Sequence, residues 1–210
     1  QSGETVSKVS IYDVDKSIWL SDLDNNSFRR KNASATLING KLYLWGGVDT
    51  TSLDFVSNLD IFQMPRNTGV AWSEGQSGGT SRAFHSSVVA DGRAVIWGGL
   101  TSDGPSNSVE LIDLNNHIYS TSTSGGTSRW NHTATLYEGR VYNWGGESAN
   151  GKVNTMDVFT LPPTGVQWLN GKPLLQAREK HGAQSYNGKF YVMGGQDPQG
   201  NYLDSVEIYN

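Results

Sequence analysis

Apolar and polar residues alternate along this chain in short runs, a pattern that predicts half-buried β-strands. The clearest runs come in pairs, such as 33–38 with 41–45 and 86–90 with 93–97. A two-residue turn signal joins the runs of each pair, and a type I′ turn favours Asn-Gly or Asp-Gly because both positions need positive φ. The pattern therefore predicts successive β-hairpins with no room for a helix between them. The four turn signals are Asn39-Gly40, Asp91-Gly92, Glu138-Gly139 and Asn187-Gly188.

The hairpins belong to a repeat of roughly 50 residues, a period that marks a repeat architecture. A Gly-Gly pair recurs at separations of 52, 47 and 49 residues, and an Arg stands 16 or 17 residues before each pair. A third apolar run follows each pair, and a short fourth run carries Trp72, Tyr119 or Trp168. Each repeat therefore predicts four strands. The pairs begin at Gly46, Gly98, Gly145 and Gly194, and the Arg residues are Arg29, Arg82, Arg129 and Arg178.

These features resemble the kelch repeat, and the resemblance covers essentially the whole chain. It implies an all-β fold, a kelch-type β-propeller of four-stranded antiparallel blades, with about four blades present. We expect residues 1–28 to end a preceding blade, 29–79, 80–126 and 127–175 to be repeats, and 176–210 to be an incomplete last repeat. The residues that carry the resemblance are the Gly-Gly pairs, the third-strand aromatics Tyr12, Phe62, Phe159 and Tyr209, and the later Trp19, Trp72 and Trp168.

The number of blades leaves two alternatives for the ring. Val9 and Val206 occupy the same phase of the repeat and lie 197 residues apart, which is close to four periods. Kelch propellers usually have six or seven blades, and about four is the lower limit for any propeller. We expect an arc of a larger propeller, cut or only partly represented by this sequence. The alternative is a small ring that the chain closes alone or by self-association with a second copy.

The repeated residues have structural interpretations. Glycine allows positive φ and close backbone approach, so the Gly-Gly pairs are expected where strands meet. We interpret His85, His132 and His181, three residues after Arg, as hydrogen-bonded core residues rather than a metal ring, and Asn32 as their counterpart in the first repeat. The Arg residues are expected to tie adjacent blades through backbone carbonyls or through acids such as Glu110.

Composition removes several function classes. The 210 residues include 25 Gly and 7 Trp but no Cys, and the net charge is -4. Without Cys there is no disulfide, cysteine zinc site, thiol nucleophile or iron–sulfur cluster. The charge gives no reason to expect nucleic acid binding, and no apolar run approaches the roughly 18 residues of a membrane span. We therefore expect no cofactor and no metal site.

The candidate ligand-binding residues are those that vary beside the repeated Arg. Two residues after each Arg stand Lys31, Phe84, Asn131 and Lys180, and in kelch domains that recruit proteins the matching position often faces the channel mouth. Trp130, aligned with Arg30, Ala83 and Glu179, is the one Trp clearly out of phase with the repeat. The loops after the Gly-Gly pairs also vary most, and loops on a rigid scaffold usually carry specificity.

These observations favour a non-catalytic propeller that scaffolds protein–protein interactions through its inter-strand loops. One alternative is an extracellular propeller that binds carbohydrate, because Trp side chains stack on sugars. Another is part of a larger enzyme like galactose oxidase, whose copper site and cysteine-linked tyrosine radical cannot form within these cysteine-free residues. The Ser/Thr/Asn-rich composition is similar to that of fungal kelch proteins, which leans toward an extracellular or cell-surface location.

Overall fold

A computed structural model describes residues 8–9, 11–19, 23–24, 29–63, 71–121, 124–161 and 166–210. Every regular element in this part of the chain is a β-strand. No helix long and apolar enough to cross a membrane occurs among these residues. In chain order the strands are β1 (Lys8–Val9), β2 (Tyr12–Asp13), β3 (Ile18–Trp19), β4 (Leu23–Asp24), β5 (Arg30–Lys31), β6 (Ser34–Ile38), β7 (Lys41–Trp45), β8 (Val48–Asp49), β9 (Leu59–Gln63), β10 (Ala71–Glu74), β11 (Ser86–Ala90), β12 (Arg93–Trp97), β13 (Leu100–Thr101), β14 (Gly104–Pro105), β15 (Val109–Asp113), β16 (Tyr119–Thr121), β17 (Thr133–Tyr137), β18 (Arg140–Trp144), β19 (Glu147–Ser148), β20 (Gly151–Lys152), β21 (Met156–Thr160), β22 (Gln167–Asn170), β23 (Gly182–Tyr186), β24 (Lys189–Met193) and β25 (Val206–Tyr209).

The larger strands form four antiparallel sheets, which we call blades 1 to 4. Their strand orders are β6-β7-β9-β10, β11-β12-β15-β16, β17-β18-β21-β22 and β23-β24-β25. The first two strands of each blade meet at a predicted turn, where Asn39 and Gly40 have φ values of 50° and 73°, as a type I′ turn requires. The prediction of an all-β fold built from four-stranded repeats is confirmed. Residues 1–28, expected to end a preceding blade, are described at 8–9, 11–19 and 23–24, where β1–β4 and β2–β3 pair as a hairpin.

The blades are arranged as in a propeller, with each face packed on the next blade. Trp45 and Leu59 of blade 1 share a buried core with Ile96 and Ile112 of blade 2. The first strands contact one another in sequence, β6 with β11, β11 with β17 and β17 with β23. Within the described residues no contact of similar extent joins β23 to β6. Among the described residues the four blades therefore form an arc in which the first strands of blades 1 and 4 do not pack on each other.

The open end of blade 4 exposes apolar residues whose counterparts are buried elsewhere. Val206 and Ile208 on β25 are exposed, whereas Leu59 and Ile61, at the same positions on β9, are buried beneath blade 2. Natural monomers seldom expose contiguous apolar surface of this kind without a partner.

A buried arginine holds the start of each blade. The guanidinium of Arg82 donates to the carbonyl of Gly98 at 2.8 Å and to the carboxylate of Glu110 at 2.6 Å. Both side chains are almost fully buried, so each charge depends on the other for compensation. The corresponding ion pairs of the other blades are Arg30–Asp60, Arg129–Asp157 and Arg178–Glu207.

The arginine of blade 1 is Arg30, so the alignment of the first repeat on Arg29 is wrong by one residue. Arg30 donates to the carbonyl of Gly46, 16 residues later, which is the spacing in the other three blades, whereas Arg29 is exposed. Ala33, not Asn32, therefore takes the place of the three histidines. Asn32, and not Lys31, therefore corresponds to Phe84, Asn131 and Lys180. Lys31, and not Arg30, corresponds to Trp130.

Arg30→Met should lower the free energy of unfolding by about 3–5 kcal/mol, because it leaves the buried carboxylate of Asp60 without a counter-charge. Arg29→Met, the matched control at the neighbouring exposed position, should change it by less than about 0.5 kcal/mol. Urea unfolding followed by tryptophan fluorescence measures both values. Equal destabilisation by the two substitutions would restore the alignment on Arg29.

Candidate functional site

Four residues at the starts of the first strands form a continuous backbone row along the inside of the arc. We call Asn32, Phe84, Asn131 and Lys180 the inner row. The amide of Phe84 donates to the carbonyl of Asn32, that of Asn131 to Phe84, and that of Lys180 to Asn131, each at 3.0 Å. First strands line the channel of a propeller, so this row marks the channel wall at one mouth.

The inner row is held in the left-handed backbone region. The φ values of Asn32, Phe84, Asn131 and Lys180 are 58°, 58°, 55° and 54°. This conformation costs a residue with a Cβ roughly 1–2 kcal/mol, and Asn tolerates it better than Phe or Lys. Glycine would satisfy the backbone at lower cost, so the side chains kept here are candidates for a role outside folding.

The loops after the Gly-Gly pairs lie on the same side of the blades as the inner row. Each residue just before the row pairs antiparallel with the loop of its own blade, as Trp130 does with Glu147 and Glu179 does with Gln196. Phe84, Asn131 and Lys180 are thereby brought into one band, with Lys31 and Trp130 each one position before the row. The exposed members are Lys31, Asn32 and Lys180, and Phe84, Trp130 and Asn131 are half-buried.

Two large apolar side chains project from these loops. Leu53 is 69% exposed and has a φ of 65°, an unusual conformation for a bulky residue. A tight turn holds it, in which the Asp49 carboxylate accepts from the amides of Thr51 and Ser52 at 2.7 and 2.9 Å. These backbone hydrogen bonds also lower the pKa of Asp49. At the other end of the arc Tyr202 is 86% exposed, so the loops carry apolar groups at both ends.

Glu179 organises the mouth between blades 3 and 4, a role that its place in the sequence does not reveal. Glu179 is only 3% exposed, and its carboxylate accepts a hydrogen bond from Asn131 Nδ2 at 2.7 Å. The same carboxylate lies 3.1 Å from the Nζ of Lys152 and 3.5 Å from the Nζ of Lys180. Burial raises its pKa, but the hydrogen bonds and the two ammonium groups outweigh burial and lower it. Burial and the neighbouring charge of Glu179 raise the pKa of Glu147. The one feature of the sequence that could have indicated this role is that Glu179 aligns with Trp130, a candidate binding residue.

The three aligned histidines join neighbouring blades. His85 Nε2 lies 2.7 Å from Ser34 Oγ, and His132 Nε2 lies 2.8 Å from Ser86 Oγ of the preceding blade. Their rings also pack edge-on against Trp45 and Trp97, with centroids 5.0 and 4.7 Å apart. These contacts agree with hydrogen-bonded core histidines.

Comparisons with known proteins support this architecture. A family model described as the KLHDC2/KLHL20/DRC7 Kelch-repeats domain matches residues 34–210. A solved structure titled "Structure of YjhT" superposes with a TM-score of 0.81 and 16% sequence identity, covering 98% of this chain and 76% of that chain. That identity is low enough for the likeness to show the fold alone. A search of curated proteins found no match.

The buried histidines should make the protein less stable as the pH falls below about 6.5. Burial lowers the pKa of His85 to about 3 and of His181 to about 4. As the pH falls, the unfolded chain therefore takes up these protons before the folded protein does. The free energy of unfolding is highest above the unfolded pKa and decreases as the pH falls toward the pKa values of the folded state. Each ring contributes a slope of up to about 1.4 kcal/mol per pH unit.

His181→Ala, which mimics Ala33 of blade 1, should remove one such slope between pH 6 and pH 5, by about 1 kcal/mol per pH unit. Unfolding in urea at pH 7.5, 6.0 and 5.0 gives the two profiles. The opposite contribution of Asp60, whose pKa burial raises to about 6, is the same in both proteins and cancels. Parallel profiles would contradict the prediction.

Proposed function

This chain belongs to the kelch-repeat family, and we propose that it is a non-catalytic module that binds a protein partner on the face carrying the inner row. The observation that carries this proposal is the strained backbone of Asn32, Phe84, Asn131 and Lys180. A row of large or polar side chains is kept at four positions where glycine would cost less. Strain of this kind is typical of sites with a function beyond folding.

The chemistry of the face supports binding rather than catalysis. The inner row offers amide, ammonium and aromatic groups, and the loops add the exposed side chains of Leu53 and Tyr202. Large apolar and aromatic side chains are the usual anchors of protein interfaces, surrounded by polar groups that give orientation. Glu179 holds Asn131 and Lys180 in place by direct contacts, which reduces the entropy lost when a partner binds.

The rigid scaffold also favours a binding function. Backbone hydrogen bonds link the four members of the inner row across blade boundaries, so their spacing is set by the packing of whole blades. A partner then meets a preformed surface in which the loops differ from blade to blade, and this variation supplies the specificity.

The proposal predicts that glycine in the inner row removes binding but not folding. Selection of a random 12-residue peptide library on the wild-type chain should yield peptides that bind it. Their affinity for the Phe84→Gly/Lys180→Gly double variant should fall at least tenfold by calorimetry, whereas the free energy of unfolding stays within about 1 kcal/mol of wild type, because relief of left-handed strain offsets the lost contacts.

Asn187→Gly is the matched control, since Asn187 has a φ of 48° but lies in the turn between β23 and β24, outside the inner row. Its peptide affinities should equal those of the wild type. Peptides that bind the double variant and the wild type equally well would place the binding surface elsewhere and overturn the proposal.

A further inference from the structure

Two glutamates with coupled ionisation meet at the channel mouth between blades 3 and 4. Glu147 lies in the loop after the Gly-Gly pair of blade 3, and Glu179 stands just before the first strand of blade 4. Burial raises the pKa of Glu147, and the charge of Glu179 and a side-chain hydrogen bond between the two residues raise it further. Two carboxylates cannot hydrogen-bond to each other without a proton, so this pair has a place for one proton.

The positive charges of this cluster contact Glu179 and not Glu147. The Nζ atoms of Lys152 and Lys180 lie 3.1 and 3.5 Å from Glu179 Oε1. No ion pair to Glu147 forms within the described part of the chain. The charges of the two ammonium groups offset only part of the upward shift in the pKa of Glu147 that burial and Glu179 cause. Glu147 is therefore the member of the cluster that most readily takes up a proton.

Lys180 is the member of the cluster most able to move. The ammonium of Lys152 is fixed by a second hydrogen bond, to the carbonyl of Asp197 at 2.8 Å, and its side chain is 12% exposed. Lys180 makes the longest contact with Glu179, at 3.5 Å, and its side chain is 57% exposed. A further donor to the Glu179 carboxylate would weaken the contact of Lys180 first, because exposed ion pairs contribute least.

Blade packing does not require titratable residues at the positions of these two glutamates. At the mouth between blades 1 and 2 the corresponding residues are Val48 and Ala83, and between blades 2 and 3 they are Leu100 and Trp130. Neither of these pairs can take up a proton. The two glutamates are confined to one mouth, next to two members of the inner row, and ionisable groups placed together in this way are typical of functional sites.

On the basis of the binding function proposed above, we propose that Glu147 and Glu179 form a proton-controlled switch that sets the charge of the binding face at Lys180. With Glu147 ionised, the two negative charges cancel those of Lys152 and Lys180, and Lys180 stays against Glu179. When Glu147 takes up one proton from water, its hydroxyl donates to Glu179, the cluster gains one positive charge and Lys180 is released. Carboxylates of a partner then bind more tightly at this mouth, and ammonium groups bind less tightly.

The switch can be tested without a partner. Carbon-13 NMR follows the carboxyl carbon of Glu147 and the ε-carbon of Lys180 between pH 7.5 and pH 4.5. In the wild-type chain the two resonances should move with a common midpoint, and in Glu147→Gln the Lys180 resonance should stay constant. Glu138→Gln is the matched control and should titrate as the wild type does, since Glu138 is exposed in the turn between β17 and β18, at the opposite end of these strands.

The wild-type chain alone still decides if Glu147→Gln does not fold, because the switch requires the two midpoints to coincide. A Lys180 resonance that does not move with that of Glu147 would overturn the proposal. A Lys180 resonance that titrates in Glu147→Gln as it does in the wild type would also overturn it.

Peptide affinities separate this inference from the proposed function. Library peptides selected at pH 7.5 that contain Asp or Glu should gain about two- to fivefold in affinity for the wild type at pH 5.0, relative to Glu147→Gln, which is the Coulomb contribution of one unit charge near contact in water. Peptides that contain Lys or Arg should lose as much. The same pH dependence in both proteins would overturn the control of binding by this switch. Failure of every peptide to bind, with the linked NMR titration intact, would overturn the proposed function but support the switch.

Discussion

The arrangement of the blades depends on a buried arginine that belongs to two blades at once. The backbone of Arg82 is bonded to blade 1, since its carbonyl accepts from the amide of Gly47 at 2.8 Å, while its side chain is bonded within blade 2 to Gly98 and Glu110. A buried guanidinium must have its charge and its hydrogen bonds satisfied. These few contacts therefore fix the position of one sheet relative to the next, and the pattern recurs at Arg129 and Arg178.

The geometry at this point accounts for the glycines and for the candidate binding surface. A Cβ on Gly98 would lie 2.8 Å from the ring of His132 and 2.9 Å from the carbonyl of Arg129, both in the next blade, so close packing of the blades requires glycine there. Two residues after each arginine the chain must turn sharply into the first strand, and that turn is the left-handed inner row. The binding surface that we propose is thus a by-product of blade packing, supplied with side chains that packing alone does not need.

The two ends of the arc show how strongly each blade depends on its neighbour. In blades 1 to 3 the first glycine of each Gly-Gly pair contacts the carbonyl of the arginine of the next blade, and Gly46 also contacts the ring of His85. By contrast, the atom nearest to a Cβ on Gly194 would belong to Leu203, 3.7 Å away. Val206 and Ile208 are exposed for the same reason.

The sequence by itself determined the fold class, the four strands of each repeat and the turns, because strand alternation, Asn-Gly turns and a repeat of roughly 50 residues are local patterns that survive without an alignment. It also predicted that Glu110 pairs with an arginine, although as a contact between adjacent blades, whereas Arg82 and Glu110 lie in the same blade. Only the tertiary structure decided that Arg30 rather than Arg29 is the buried arginine, since two adjacent arginines look alike until one of them meets Asp60. The contacts of Glu179 with Asn131 and Lys152 were likewise hidden, because they depend on residues that approach from the neighbouring blade and not on any spacing along the chain.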